Sequence, residues 1–482
     1  MSAAAAVHPI STPVFYLGIT ALFGVTFLAG MAGVAAIRPV YVVACGVVGY
    51  YAWRAGPARH FEAAILLFAF SPFLRRVVDA TTGFQPAALM LIGPMLAILI
   101  PTVELRALLR PDHKFDRALL PFLLMLACIA YACMLNLFQG DVMSAASGGL
   151  KWGAPVLYGM WMTERAREDR ALVDTAARTF MIVTPILGLY GVYQFVEAPL
   201  WDRYWMIYSG MTSIGEPEAY KLRVFSMMNS PASLATYAAC GLLLFGFCRS
   251  GWQMLLVALP SAMGLMLSLY RTAWLSLVVG ILFCLLFGPT RSRAGLIIAC
   301  LCGAITVAAV ATPFGDIISD RLDTLVSKPS EDGSGLERMG EFVTLWKNSE
   351  SNLFGSGFGS VDPGIPGTMP IDGMPVACWL FMGIPVGLLC LISMFWATWQ
   401  ALAQVVRQPD AIRVVLGAVL VGELFQLPLA GIAYGELGVL FWVFAGVATS
   451  SGQQAPSDVA RPLRDMPIRI ARTRSLTREK LS

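Results

Sequence analysis

LLPFLLMLACIAYACMLNLF, residues 119–138, carries no charged side chain and a single amide, Asn136. A helix needs about 20 predominantly apolar residues to cross the hydrocarbon core of a bilayer, and this stretch supplies that length without interruption. Working outward, similar runs are centred near Leu22, Ala44, Phe68 and Leu96 on one side. On the other they are centred near Leu157, Ile186, Ala239, Leu259, Val278, Cys302, Leu388, Leu420 and Phe441. Counted at that length, the chain holds about 14 transmembrane helices. The divisions Leu22/Ala44 and Leu420/Phe441 are the least marked, and each pair also reads as one long tilted helix.

Composition points the same way. Of 482 residues, 57% are hydrophobic and 13% charged, about half the charge of a soluble domain. The expected fold class is an all-α polytopic membrane protein. Residues 1–13 lack the basic start and small-residue cleavage site of a signal peptide, so the first apolar run reads as a retained span. The 10 cysteines lie in or beside apolar runs rather than in long polar loops, which argues against a disulfide framework and against a zinc site. With only His8, His60 and His113, histidine-based metal or triad chemistry is not expected either.

Cytoplasmic loops of membrane proteins are enriched in Lys and Arg. Placing the N-terminus inside puts Arg54/Arg59, Arg106/Arg110/Lys114/Arg117, Arg165/Arg167/Arg170, Arg291/Arg293 and the basic C-terminal tail on the inner side. The chain then divides into N-terminal transmembrane helices (1–197), an outer loop (198–228), transmembrane helices (229–313), a large outer loop (314–373), C-terminal transmembrane helices (374–450) and a tail (451–482). The tail is basic and rich in Pro and Ser, and reads as disordered against the anionic inner leaflet. No repeat of solenoid length is present. Long loops in compact proteins are usually functional, which directs the search for chemistry to the outer face.

Three outer-face stretches carry candidate residues. EAYKLRVFSMMNSPASLATY (218–237) sets Lys221 and Arg223 ahead of a helix start at Asn229-Ser230-Pro231. Exposed N–H groups at such a start favour an anion; the plainer reading is a cap with basic interfacial anchors. LSLYRTAWLSL (267–277) sets Arg271 in apolar sequence. A charge at depth costs about 2.5–3.5 kcal/mol on insertion scales, so Arg271 either lines a cavity or sits at a tight turn and reaches up to the interface. In the large loop, GLERMGEFVTLWKN (335–348) places Leu336, Met339, Val343 and Trp346 on one helical stripe beside Glu337, Arg338 and Glu341. LFGSGFGSVDPGIPG (353–367) follows, a turn-rich stretch able to approach a ligand closely. It lacks the lysine and βαβ context of a nucleotide loop. Asp372 then stands at the mouth of the next span, as a ligand-facing acid or a plain cap. Arg75 and Arg76 also fall on the outer side, against the charge rule, as phosphate neutralisers or as local anchors.

The order of these features, from Lys221 to Leu389, resembles the O-antigen ligase/polymerase superfamily, the Wzy- and WaaL-like membrane glycosyltransferases of bacterial surface polysaccharide. The shared features are an arginine before an Asn-Pro-like helix start, a Tyr-Arg pair opening a later span, RMGEFVTLW and LFGSGFG in one large loop, and FMGIPVGLL beyond it. The resemblance implies a GT-C-like helical fold with one large periplasmic loop containing an amphipathic helix, in the bacterial inner membrane with both termini cytoplasmic. It implies a polyprenyl-diphosphate-linked donor, with Arg223 and Arg338 at the family's essential arginines and Arg271 at the head of the following span pair. Ligases of the family carry a histidine before the span after the loop. Here PIDGMPVACW has none, which favours a polymerase.

Departure of a diphosphate needs stabilised negative charge, which fixed guanidinium groups supply. The expected roles are diphosphate binding by Arg223 and Arg338, support from Arg271 with Lys221, Asn229, Arg75 and Arg76 around the substrate, and proton acceptance by Asp372 or Glu341. No cofactor or metal is expected, and no nucleic acid. Membrane lipid, a chain-length regulator and a flippase of the same pathway are the expected partners. The alternatives are a ligase moving finished glycan to another acceptor, and a transporter of lipid-linked oligosaccharide.

Overall fold

The structure is a computed structural model, and it describes residues 12–109, 116–165, 171–211, 214–248, 253–311, 343, 353–359 and 373–450. In hydrocarbon the backbone must bond within its own segment, and the apolar runs accordingly become helices. In chain order these are α1 (Thr12–Met31), α2 (Ile37–Ala55), α3 (Pro57–Thr82), α4 (Ile92–Leu99) flanked by 3-10 turns at Leu89–Leu91 and Ile100–Leu109, α5 (Leu120–Phe138), α6 (Val142–Arg165) and α7 (Ala171–Glu197). Then come α8 (Leu200–Tyr208), α9 (Pro231–Cys248), α10 (Gln253–Leu267), α11 (Arg271–Leu285), α12 (Gly288–Ala311), α13 (Met374–Arg407), α14 (Ala411–Gln426) and α15 (Gly435–Ser450). Among the described residues the one β-type pairing is the isolated bridge Gly215–Leu222.

Each span centre read from the sequence falls in a helix of its own. The two doubtful pairs are separate helices, parted by residues 32–36 and 427–434. Among the described residues, five segments are long and apolar enough to cross a membrane unaided: Pro13–Met31, Leu89–Leu108, Arg117–Phe138, Leu172–Glu197 and Met374–Arg407. Pro231–Phe247, Leu256–Leu267, Arg271–Leu285 and Gly435–Ser450 are apolar but shorter.

Helix α15 is the centre of the packing, buried from Leu437 to Ser450. It lies against α6, where a Cβ added at Gly159 would stand 2.6 Å from Trp442 Cβ. Helices α7 and α10 cross as closely, since a Cβ at Gly188 would meet the Pro260 carbonyl at 1.9 Å. Small residues at crossings let membrane helices gain dispersion contacts that lipid cannot replace.

The two ends of the bundle are tied differently. At one, Glu104 accepts from Trp53 Nε1 (3.0 Å), Trp161 Nε1 (2.7 Å) and Arg165 (2.7 Å). At the other, hydrogen bonds link the end of α3, α8, the 214–230 segment, the α10–α11 turn and the 427–434 loop.

Two local features correct the sequence reading. The segment 198–228, expected as an outer loop, is not loop throughout, since Leu200–Tyr208 is helical with Asp202, Trp205 and Met206 buried. The span near Leu388 is also not continuous. Gly383 (φ 76°, ψ −179°) breaks α13 just before Pro385. The break is filled by LFGSGFG (353–359). Ser356 N donates to Leu380 O, Gly357 N to Phe381 O, and Ile384 N to Leu353 O. Phe358 is buried against Trp152 and Phe381, and its N–H donates to Asn136 Oδ1 (2.6 Å). Within residues 353–359, Gly357 and Phe358 are buried and the backbone bonds the interrupted helix, while Leu353, Phe354, Ser356 and Gly359 are exposed.

Candidate functional site

The site is built on Arg76, which is buried in α3. Its Nε donates to Asp202 Oδ1 of α8 (2.7 Å), and its terminal nitrogens donate to the carbonyls of Met228 (2.6 Å) and Ser226. Asp202 Oδ2 also accepts from Tyr190 and Gln194, both at 2.8 Å. Gln194 Oε1 in turn accepts the N–H groups of Phe225 (3.1 Å) and Ser226 (2.8 Å). The irregular run 224–228 is thereby fixed at both its carbonyls and its amides. Ser226 sits at φ 54°, a left-handed conformation that costs a non-glycine residue about 1–2 kcal/mol and persists here because its neighbours bond both sides of it.

This rigid run sets Arg223 against the α10–α11 turn. Val224 N donates to Leu267 O (3.1 Å), and Arg223 reaches Leu269 O through a terminal guanidinium nitrogen (3.2 Å). Leu269 is itself at φ 53°. Two residues later Arg271 opens α11 and is exposed. Arg271 therefore stands at a turn between two helices. Arg223 thus reaches the strained turn from which Arg271 opens the next helix, although the two are distant in sequence.

The remaining candidates fall in several places. Lys221 is exposed and pairs with Glu218 (2.8 Å) and Glu216 (3.2 Å). The hydrogen bond from Lys221 holds the Glu218 carboxyl below its usual value, and the two carboxylates, Glu218 first, hold the ammonium above its own. Asn229 is half-buried, but the capping acceptor is the next residue, since Ser230 Oγ accepts from Ser233 N (3.1 Å). Arg75 and Arg76 are occupied by protein groups. Arg75 bonds Asp79 (3.2 Å) and Gln85 O (2.9 Å), beside the Arg38–Asp79 pair (2.8 Å). Arg338, Glu341, Asp372 and, apart from the helical and exposed Val343, the expected amphipathic helix lie outside the described residues. Gly373, the residue after Asp372 in sequence, lies against the Pro428 carbonyl, and Met374 N donates to Leu427 O (2.9 Å). Tyr270 OH donates to Leu429 O of the same loop (3.0 Å), so α13 begins beside the arginine turn.

Sequence reading passed over Lys151 and Glu436. Each is a lone charge beside an apolar run, and neither carries a motif. The structure puts both near this end of the bundle, with Lys151 Nζ 4.9 Å from the Tyr434 ring centroid and Glu436 accepting from Ser233 Oγ at 2.6 Å. Among the described residues no three His, Cys, Asp or Glu side chains gather as a metal cage.

Fold and site together define an all-helical membrane-embedded protein with a cationic turn at one end of its bundle. Neither a protein-family model nor a curated protein matches the chain.

Proposed function

We propose that the chain is a bacterial surface-polysaccharide polymerase with about 14 spans and both termini cytoplasmic. It transfers glycan from a polyprenyl-diphosphate donor onto a lipid-linked repeat unit at the outer face of the inner membrane. The supporting observation is that Arg223 reaches the turn between α10 and α11 from which Arg271 opens the next helix. Guanidinium groups on a rigid turn near the outer ends of the helices suit a departing diphosphate, because they need little reorganisation as charge develops. Arg338 joins them in this reading, from the large loop. A single displacement inverts the anomeric carbon.

The test is polymer length in cells carrying Arg223→Ala or Arg271→Ala at wild-type protein levels. Loss of long polymer with accumulation of single repeat units is expected. Wild-type chain lengths in both variants would remove the proposal, and free long polymer would point to a ligase. The broken helix α13 is the one feature that favours a transporter, whose ligand sites are often built at such breaks. Its freed backbone groups are taken up by residues 353–357, which leaves that reading second.

A further inference from the structure

Among the described residues, uncommitted polar groups also occur around Lys151 and Glu436. Lys151 lies in α6, and its side chain is exposed. The residues after it, Trp152 to Val156, are all buried. The Lys151 side chain is therefore accessible at the edge of a buried stretch. Its position is fixed by the face of Tyr434 at 4.9 Å, a cation–π contact, and Trp152 stacks on that tyrosine at 4.7 Å. Among the described residues Lys151 has no hydrogen bond or ion pair, so its three N–H donors are uncommitted.

Two residues after Tyr434 in the chain comes Glu436. Glu436 lies in the first turn of α15, where a helix favours a negative group. Ser233 Oγ donates to Glu436 Oε1 at 2.6 Å and stands 2.9 Å from Ser230 Oγ. This orients the carboxylate, and among the described residues Oε2 has no hydrogen bond. The 427–434 loop links the Lys151 contact to the arginine turn. Its Leu429 carbonyl holds Tyr270, the neighbour of Arg271, and its Tyr434 holds Lys151.

We propose that Glu436 and Lys151 form the acceptor subsite. Glu436 accepts the proton of the attacking sugar hydroxyl, and Lys151 donates a hydrogen bond to another oxygen of the same sugar. The proposal rests on the glycosyl-transfer reading above. In the step, the hydroxyl O–H bond breaks and its proton passes to Glu436 as the oxygen bonds the anomeric carbon. The bond from that carbon to the diphosphate oxygen breaks, and the polyprenyl diphosphate leaves with the electron pair, its charge met by Arg223 and Arg271. The proton on Glu436 returns to water when product leaves.

The test uses the purified full chain in lipid nanodiscs, with lipid-linked repeat units extracted from a deletion strain. Wild type comes first. Failure to extend these units overturns the glycosyl-transfer reading itself, and the subsite with it. Given active wild type, E436Q is expected to lower turnover by about 10²–10⁴-fold, the usual worth of a general base, and to lose the acid limb of the pH–rate profile. Its binding of polyprenyl diphosphate should be unchanged. K151M should raise KM for the acceptor more than it lowers kcat. If E436Q does not stay monodisperse, E436D is read instead, and reduced turnover with a displaced acid limb supports the assignment. Wild-type turnover in the folded variant, or an unaltered acid limb, overturns it.

Discussion

Arg76→Ala isolates what holds the arginine turn in place. The substitution removes the partner of Asp202 inside the protein and strips the donors from two carbonyls, those of Ser226 and Met228. Breaking one side of a buried ion pair costs about 3–5 kcal/mol, mainly because the other charge is left uncompensated. Asp202 keeps its bonds from Tyr190 and Gln194, which sets the expectation near the lower end, about 3 kcal/mol. Denaturation by sodium dodecyl sulfate in mixed micelles, followed by tryptophan fluorescence, measures it, since Trp205 lies 5.7 Å from the Arg76 guanidinium carbon. Asp202→Asn and the double variant complete a cycle, and strong non-additivity is expected because the two groups share one network. Hydrogen exchange should also rise across 224–228, the run that positions Arg223. A loss below about 1 kcal/mol, the range of exposed pairs, or an additive cycle, would refute the view of Arg76 as the clamp on this run.

Further expectations concern backbone and charge. Gly383→Ala should destabilise by at least the roughly 1–3 kcal/mol of a strained backbone conformation, because its Cβ would stand 2.3 Å from Leu353 O; faster exchange at Ser356 and Gly357 reads the release of the plug. Gly188→Val should lower the unfolding midpoint strongly, since the Pro260 carbonyl occupies the space of any Cβ; a normal midpoint would disprove the tight α7–α10 crossing. For Glu218 the folded carboxyl lies below its ordinary value. Its contribution is therefore present above that ordinary range and lost as pH falls through the lowered value. Exchange protection of 214–222 should weaken on acidification in wild type and change less in Glu218→Gln.

The helices were legible because the bilayer imposes one demand on every span, an apolar run of sufficient length, and composition alone reports it. Even the weakly divided pairs came out as separate helices, with centres where hydropathy put them. What sequence left obscure depends on distant partners. Arg76 meets Asp202 across 126 residues, so its double-arginine neighbourhood suggested a phosphate as readily as a scaffold. Helix α8 is short, and its aromatic stripe in LWDRYWMIY lies inside a polar segment that dominates any longer window. The break in α13 did leave a signal, a Gly-Ile-Pro inside a long apolar run, but only the three-dimensional pairing with 353–357 assigns it a purpose. Lys151 and Glu436 left none, because a single charge beside an apolar run says nothing about which distant charge it will face.

The distribution of strain supports the same end of the bundle as the working end. Tyr220, Ser226 and Leu269, at φ 65°, 54° and 53°, all lie in the two segments that carry Lys221, Arg223 and Arg271. A protein does not hold non-glycine residues in left-handed conformations without compensation, and here Gln194, Arg76 and Arg223 supply it through bonds to the strained residues themselves. A surface that only had to solvate an outer turn would need neither the strain nor the buried clamp. One that must keep guanidinium groups still while charge builds beside them needs both, since a mobile arginine would lose much of its advantage in ordering at the transition state. If that reasoning holds, Arg76→Ala should depress turnover as well as stability. The loss in turnover should persist at temperatures where the variant remains folded, because the defect lies in the positioning of Arg223 and not in its charge.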